Sequence, residues 1–243
     1  MSTSILRRQA LRLSRSRAFY HSYDHPAPST PFSPTEQRLL GSAYAHVPTL
    51  GFTAEALTAG ARDAGFPEIT TAGLADGPFA LVRWHLVGKR AELREKSADV
   101  LSEDKGLGVR ERVERLTWYR LQANRTVIHK WQDALALMAQ PSYLPESLKE
   151  LAALTDDIYF LAGDVSVDPS WYTKRGSLGM IFASCELFMT NDRSPDFAET
   201  RAFLQRRLAE RASVGGVASA VGQWTGFTAS AALNVLRSKG VRV

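Results

Sequence analysis

The feature that most restricts the fold is the spacing of apolar residues, which follows the period of an α-helix along nearly all of the chain beyond residue 34. No stretch shows the alternating pattern of a strand, and no internal repeat is present. Local signals divide the pattern into helices. Thr53 is a typical helix cap and Gly65 a typical helix end, and Asp168-Pro169 and Ser194-Pro195-Asp196 each place a proline directly after a capping residue. The sequence therefore predicts an all-α protein.

Between residues 34 and 82 the predicted order is a helix that ends before Pro48, an alanine-rich helix, a tight turn, a short helix and a longer helix from Phe79. This order resembles the N-terminal helix-turn-helix domain of TetR-type repressors. A protein that binds DNA needs Arg and Lys side chains to meet the phosphates. This stretch has only Arg38 and Arg62 against five acidic residues, a net charge of −3. Nucleic-acid binding is therefore not expected, and a TetR-like DNA-binding regulator is kept only as an alternative function.

The first 23 residues contain five arginines among serine and leucine residues, and the first acidic residue is Asp24. An arginine-rich, acid-free start that can form an amphipathic helix is typical of a mitochondrial transit peptide, which we predict over residues 1–20. A disordered basic tail is the alternative. Removing this segment takes away five positive charges from a formal net charge of +5, so the remaining chain would be nearly neutral. The basic balance is therefore no sign of a nucleic-acid partner.

The residue inventory also restricts the chemistry that is expected. Cys185 is the only cysteine, which excludes an internal disulfide and suits a reducing compartment. His46, His85 and His129 lie far apart, and none belongs to the Glu-x-x-His pair that di-iron carboxylate enzymes use. No phosphate-binding loop or supported Ser-His-Asp pattern is present. We therefore expect no catalytic residue, no metal and no cofactor, and keep a small-molecule enzyme as a further alternative.

Several short motifs stand at fixed spacing between residues 155 and 208: Asp156-Asp157, Ala162-Gly163-Asp164, Trp171-Tyr172-Thr173-Lys174-Arg175, Glu186-Leu187 and Ser194-Pro195-Asp196-Phe197. Together they resemble the signature region of the mitochondrial ubiquinone-biosynthesis accessory proteins, the lipid-binding partners of the demethoxyubiquinone hydroxylase. The resemblance implies a TetR-like fold whose larger helical domain holds a lipid. It also implies a homodimer and a role other than catalysis.

The predicted organisation has five parts. A transit peptide over 1–20 is followed by a proline-rich linker over 21–33, a helix-turn-helix-type domain over 34–90, a helical lipid-binding domain over 91–212 and a C-terminal amphipathic helix over 213–243. No run of 18 apolar residues is present, so any contact with a membrane is expected to be peripheral.

The predicted helix that begins at Pro169 is apolar on nearly all sides in its second half, as a helix buried on several sides would be. Ordinary core packing is one reading of this pattern. The other is that part of the helix also lines a lipid cavity, with Leu178, Ile181, Phe182, Cys185, Phe188 and Met189 as the lining residues. Gly176 and Gly179, in the same helix, make room either for a ligand or for a closely packed neighbouring helix.

Trp171 and Tyr172 stand in the first turn of the same helix, where large aromatic residues often remain partly exposed and anchor interfaces. The alternative is that they pack on their own domain. The family resemblance implies that Asp156, Ile158, Trp171 and Tyr172 form the surface that engages the hydroxylase. Arg175 is expected to pair with Asp156 or with the aspartate that follows it.

The last part of the chain has apolar residues at helical spacing after two consecutive glycines, and basic residues close to its end. Such a helix can lie in a membrane interface, with its apolar face towards the lipid. The predicted membrane-binding residues are Val221, Trp224, Phe227, Ala231 and Val235. A last helix that packs on the domain is the alternative.

The resulting hypothesis is presentation of a substrate. The protein would dock on the matrix side of the mitochondrial inner membrane, bind isoprenoid quinone intermediates or other lipids, and present them to the demethoxyubiquinone hydroxylase. A long isoprenoid tail needs an elongated apolar site with few polar groups, as the predicted cavity would provide.

Overall fold

The computed structural model describes residues 30–102, 106–164 and 170–211, and this part of the chain contains α-helices, 3-10 helices and no strand. The all-α prediction is therefore confirmed. The α-helices are α1 (Pro34–Tyr44), α2 (Val47–Leu50), α3 (Ala54–Asp63), α4 (Phe79–Ser102), α5 (Val109–Gln122), α6 (Trp131–Met138), α7 (Leu144–Leu161), α8 (Ser170–Met189) and α9 (Ala198–Arg211). Short 3-10 helices span Glu68–Gly73, Arg125–Lys130 and Pro195–Phe197.

Caps that are visible in the sequence determine where the first helices begin. Ser33 and Glu36 form a capping box at the start of α1, in which the Ser33 N–H donates to Glu36 Oε2 at 2.7 Å. The Thr53 hydroxyl accepts from the Ala56 N–H at the start of α3, so the predicted cap is confirmed. The first helix, α1, ends at Tyr44, so the prediction that it ends before Pro48 is confirmed. Pro48 itself lies in the first turn of the next helix, α2, where a proline N–H is not needed.

The start of α9 also differs from the prediction. The chain after Ser194 first forms the 3-10 helix Pro195–Phe197, with positive φ at Asp196, and α9 begins only at Ala198. The Asp192 carboxylate caps α9 by accepting from the Thr200 N–H at 2.8 Å, and the Ser194 hydroxyl accepts from the Glu199 N–H at 3.0 Å. Burial alone would raise the pKa of Asp192, but hydrogen bonds from Ser194 and Thr200 outweigh burial and lower it. The Asp168-Pro169 cap lies outside the described residues.

Two hydrophobic clusters form the core, and α4 contributes to both. The first cluster joins α1, α2, α3, α6 and the N-terminal half of α4, with Phe79 and Leu81 fully buried. The second joins α5, α7, α8 and α9 with Leu93 of α4. Residue 90, the predicted end of the first domain, therefore lies inside a continuous helix that runs from one cluster to the other.

Gly60 accounts for the close packing of the first cluster. A Cβ atom at this position would lie 2.2 Å from the Cα of Ala43, which is shorter than any real contact between carbon atoms. Only glycine therefore allows α1 and α3 to approach at this point.

Candidate functional site

An apolar groove of about 900 Å³ lies between α7 and α8. The two helices run antiparallel, because Asp156 lies beside Arg175 while Leu151 lies beside Gly179. Most of the wall is hydrophobic, and the apolar side chains that line it are Leu148, Leu151, Ala152, Trp171, Met180 and Ala183. We call this cavity the α7/α8 groove. Its size and apolar lining are those of a ligand site.

Two glycines of α8 shape the floor of the α7/α8 groove. A Cβ atom at Gly179 would contact the Leu151 side chain at 3.5 Å, so this glycine lies against the neighbouring helix. A Cβ atom at Gly176 would meet nothing within 4 Å, so this glycine leaves open space on the groove side. Gly179 thus accommodates the neighbouring helix, whereas the use of the open space at Gly176 by a ligand stays a prediction.

Trp171 and Tyr172 form the mouth of the groove, together with the buried Arg175. The Arg175 guanidinium lies 3.9 Å from the centre of the Trp171 ring, and its Nε donates to Asp156 Oδ1 at 2.6 Å. The predicted pairing of Arg175 with Asp156 is thus confirmed. Because the guanidinium is held by a carboxylate and stacked on an aromatic ring, it fixes the position of Trp171. Tyr172 is 76 % exposed, and its ring meets the Trp171 ring edge to face at 4.7 Å.

The residues predicted to bind the hydroxylase divide into two groups. Asp156, Trp171 and Tyr172 all line the α7/α8 groove and lie close together. Ile158 is fully buried in the second core cluster, so its side chain does not reach a surface. The family resemblance placed Ile158 with the others, but its position on α7, two residues after Asp156, turns its side chain towards the core.

The residues predicted to line a lipid cavity lie on the opposite side of α8 from the groove. Leu178, Ile181, Phe182, Cys185 and Met189 are buried in the second core cluster. Phe188 is half-buried, and its ring stacks on Phe203 of α9 at 4.8 Å. None of these residues lines the α7/α8 groove. Their role as lipid ligands stays a prediction, and their observed contacts are those of core packing.

Sequence reasoning missed the groove residues of α7. Leu148 and Leu151 lie three positions apart, as residues on one face of a helix do, and the structure leaves Leu148 exposed. Small residues at positions 176, 179 and 183 mark the matching face of α8. Both signals are present in the sequence, but the larger apolar side chains of α8 are the stronger signal and point to the core.

A buried chain of hydrogen bonds connects the two core clusters. Arg120 Nη1 donates to Asn124 Oδ1 at 2.8 Å, and His85 Nε2 lies 2.8 Å from the same oxygen. Since that oxygen accepts, His85 donates from Nε2, and its Nδ1 accepts from the Tyr44 hydroxyl at 2.6 Å. Asn124 Nδ2 in turn donates to Glu186 Oε1 at 2.8 Å. The chain therefore runs from α1 through α4 and the end of α5 to α8.

Burial and the charge of Arg120 shift the pKa values of two side chains in this buried chain of hydrogen bonds, Glu186 and His85. Burial raises the pKa of Glu186 to about 6, while the positive charge of Arg120 opposes the rise. Burial lowers the pKa of His85 well below its usual value, and the charge of Arg120 lowers it further. His85 is thus neutral, as its hydrogen-bond pattern requires.

Three further observations concern the remaining predictions. The predicted membrane-binding residues and the predicted transit peptide lie outside the described residues. No helix within residues 30–102, 106–164 and 170–211 is long and apolar enough to cross a membrane. The same residues contain no cluster of three or more His, Cys, Asp or Glu side chains arranged to hold a metal ion.

Comparison with known proteins identifies the family. A model of the COQ9 family matches residues 144–215, which include α7, α8 and α9. The ubiquinone biosynthesis protein coq9, mitochondrial, of Schizosaccharomyces pombe is 33 % identical over 225 residues, covering 93 % of this chain and 88 % of the relative. The chain belongs to the COQ9 family. The α7/α8 groove therefore lies inside the part of the chain that the family model describes.

Animal members of the COQ9 family match a smaller share of their own length. The COQ9 protein of Drosophila melanogaster, named as a mitochondrial ubiquinone biosynthesis protein, is 35 % identical over 184 residues. That match covers 71 % of this chain and 54 % of the relative. The COQ9 protein of Xenopus tropicalis, named in the same way, is 34 % identical over 189 residues, with 58 % of the relative covered. The chain thus spans little more than half the length of these relatives.

Proposed function

We propose that this protein is a mitochondrial accessory protein of ubiquinone biosynthesis that binds isoprenoid quinone intermediates and presents them to the demethoxyubiquinone hydroxylase. The observation that carries the proposal is the apolar α7/α8 groove, with two aromatic residues at its mouth, in the signature region of the COQ9 family. The names of the relatives support the pathway and the compartment. The apolar lining of the groove supports an isoprenoid ligand.

The dimensions and chemistry of the groove suit an isoprenoid chain. Its volume of about 900 Å³ falls near the upper end of the range usual for small-molecule sites. Most of its polar lining is neutral, and the charged Asp156 and Arg175 already neutralise each other through their hydrogen bond. An isoprenoid tail gains nothing from polar contacts. The groove, whose two charged residues are already paired with each other, would therefore hold the tail through burial of apolar surface alone.

The mouth of the groove supports a contact with the hydroxylase. Trp171 and Tyr172 are large aromatic side chains held in place by their mutual contact and by Arg175. Rigid aromatic anchors of this kind supply much of the binding energy of protein interfaces. A hydroxylase bound there would meet the ligand where it leaves the groove. Asp156, Trp171 and Tyr172 are the proposed contacts, whereas Ile158 is buried in the second core cluster.

Membrane contact is assigned to the C-terminal segment 213–243 through Val221, Trp224, Phe227, Ala231 and Val235. These apolar residues recur at helical spacing, and the segment carries basic residues but no acidic one. We place the protein peripherally on the matrix side of the inner membrane, as a homodimer, where intermediates with long tails reside.

Lipid extraction followed by mass spectrometry on the purified full chain tests the proposal. We expect an isoprenoid quinone to co-purify with the parent protein and to be lost from the Ala183→Lys variant, since Ala183 lines the groove. The Ser184→Lys variant is the matched control, because Ser184 is the next residue, is exposed and lies outside the groove. Equal lipid content in both variants would overturn the assignment of the groove.

A further inference from the structure

We propose that Arg175 anchors the head group of the ligand, with Nη1 donating to an oxygen of a neutral quinone ring while the tail lies in the α7/α8 groove. The inference rests on the proposed function and deepens it, because it names the ligand group that the groove recognises. Arg175 lines the groove and is only 6 % exposed, and its Nη1 has no hydrogen-bond partner in the described part of the chain. A buried donor without an acceptor is costly, so such an atom in the wall of a cavity indicates a ligand that supplies one.

Three contacts hold the Arg175 guanidinium in place. Its Nε donates to Asp156 Oδ1 at 2.6 Å. Its central carbon lies 3.9 Å from the centre of the Trp171 ring and 5.3 Å from the centre of the Tyr159 ring. Because the guanidinium is planar and rigid, these contacts also fix the direction of the N–H groups on Nη1. The donor is thus oriented before a ligand binds, so little freedom is lost when an acceptor arrives.

The surroundings of Nη1 favour a planar head group. The atom is closed to water, so an acceptor that reaches it gains a hydrogen bond that solvent does not already make. The Trp171 ring that stacks on the guanidinium is partly exposed, and a planar ring that enters the mouth can take over part of this stacking. Gly176, the next residue along α8, leaves open space at the groove, and we expect the head group to use it.

The pairing with Asp156 determines which charge the acceptor can carry. The Asp156 carboxylate already neutralises Arg175, so an anionic head group would bring a second negative charge to the same guanidinium. In an apolar groove that charge would lose its hydration without a free cation to replace it. A carbonyl or methoxyl oxygen accepts a hydrogen bond without bringing a charge, and a plain hydrocarbon cannot accept one. The arrangement therefore selects a neutral ring that carries oxygen over both an anionic ring and a hydrocarbon.

The anchor also sets the direction in which the ligand lies. Arg175 is at the mouth with Trp171 and Tyr172, whereas Ala183 lines the groove eight residues further along α8, a distance of about 12 Å on a helix. A head group held by Arg175 would stay beside the proposed contacts with the hydroxylase, and the tail would point along the groove towards Ala183. The reacting end of the ligand would thereby face the partner.

Binding of two probes with the same tail tests the anchor. Decylubiquinone carries a neutral ring with carbonyl and methoxyl oxygens, and decylbenzene carries a ring without oxygen. The Arg175→Lys variant of the full chain keeps a positive charge opposite Asp156 but has a single nitrogen, which that carboxylate engages. We expect its affinity for decylubiquinone to fall by about tenfold or more, as the loss of one hydrogen bond to a charged donor implies. Its affinity for decylbenzene should stay within about twofold of the parent value, because that probe makes no such bond.

The Arg94→Lys variant is the matched control. Arg94 is also an arginine that pairs with an aspartate of α7, Asp157, but it does not line the groove. This variant should bind both probes as the parent does. Equal affinity of the parent and Arg175→Lys for decylubiquinone would overturn the inference. Equal losses for both probes would overturn it as well, because Arg175 would then only support the shape of the groove.

The Asp156→Asn variant tests the selection by charge and does not depend on the folding of Arg175→Lys. Asparagine can still accept from Arg175 Nε, but the guanidinium is no longer neutralised by this partner. The affinity for the anionic probe 4-decylbenzoate should therefore rise by about tenfold or more, as an unneutralised charged donor gains a charged acceptor. The affinity for decylubiquinone should change little. An unchanged affinity for 4-decylbenzoate would refute the role of Arg175 as the head-group donor.

The Ala183→Lys variant separates this inference from the proposed function. If both probes bind the parent and are lost from Ala183→Lys, while Arg175→Lys binds decylubiquinone normally, the groove holds the tail and the anchor is refuted. If Arg175→Lys loses decylubiquinone selectively while Ala183→Lys binds both probes as the parent does, the anchor stands and the groove is refuted as the site of the tail.

Discussion

Replacement of Asn124 by leucine should remove several kcal/mol from the free energy of unfolding. Leucine has nearly the shape of asparagine but can neither accept nor donate, and Asn124 is fully buried. The change leaves the N–H of His85 Nε2, an N–H of Arg120 and Oε1 of Glu186 without their present partners. A buried polar group without a partner costs about 1 to 3 kcal/mol, and charged groups cost more. Because Arg120 and Glu186 keep their mutual attraction, we expect a total loss of about 3 to 5 kcal/mol.

Urea denaturation of the parent and variant proteins measures this loss. With a slope of about 1 to 3 kcal/mol per molar urea, the midpoint should fall by about 1 M or more. The Asn191→Leu variant is the matched control, since Asn191 is exposed and the same chemical change there should cost less than about 0.5 kcal/mol. If both variants unfold at the parent midpoint, the buried hydrogen-bond chain does not contribute to stability and the reasoning fails.

Three further predictions concern packing, pH and the partner surface. The Gly60→Ala variant should unfold at a clearly lower temperature than the parent, because its Cβ would overlap the backbone of α1. The Gly176→Ala variant places its Cβ in open space within a helix, so its free energy of unfolding should rise by up to about 1 kcal/mol. The pKa of His85 is lowered in the folded state, so only the unfolded chain takes up this proton below about pH 6.5; from pH 7.5 to 6 the parent should lose about 1 kcal/mol more stability than the His85→Gln variant. The pKa of Glu186 is raised and acts in the opposite direction, and an equal pH dependence of the two proteins would refute the assignment to His85. The Tyr172→Lys variant should no longer co-purify with the hydroxylase, while its unfolding midpoint stays unchanged. The equally exposed Ile69→Lys variant is the control and should bind the hydroxylase normally. Equal binding by both variants would exclude the mouth of the groove as the hydroxylase contact.

The fold class was predictable because the signals that produce helices are local. The Thr53 cap, the turn at Gly65 and the start of α4 at Phe79 all lie where the sequence places them. The first helix also ends before Pro48, as predicted. The start of α9 differs from the prediction because of interactions over a longer range. Asp192, six residues before Ala198, accepts from the Thr200 N–H, while Ser194 accepts from the Glu199 N–H, so both residues cap α9.

The candidate site was predictable only in part. The aromatic residues at the mouth of the groove, Trp171 and Tyr172, could be identified because the family motif and their place in the first turn of the helix both indicate an exposed contact surface. The face of α8 that lines the groove could not be identified, because the helix is apolar on nearly all sides and periodicity then gives no direction. The largest side chains, such as Phe182, pack inward, and the groove forms where small residues such as Gly176 leave space.

The buried hydrogen-bond chain could not be predicted at all. Its members come from α1, α4, α5 and α8, and each is an ordinary polar residue in its own segment. The cost of burying them is offset only when the folded chain brings all of them together. No local pattern encodes that arrangement.

The most direct test of the central claim is photo-cross-linking with an isoprenoid quinone that carries a diazirine on its tail, followed by mapping of the labelled residues. Binding in the α7/α8 groove predicts label on Leu148, Met180 and Ala183. Label confined to Phe182 and Phe188, on the opposite side of α8, would place the tail in the core and contradict the account.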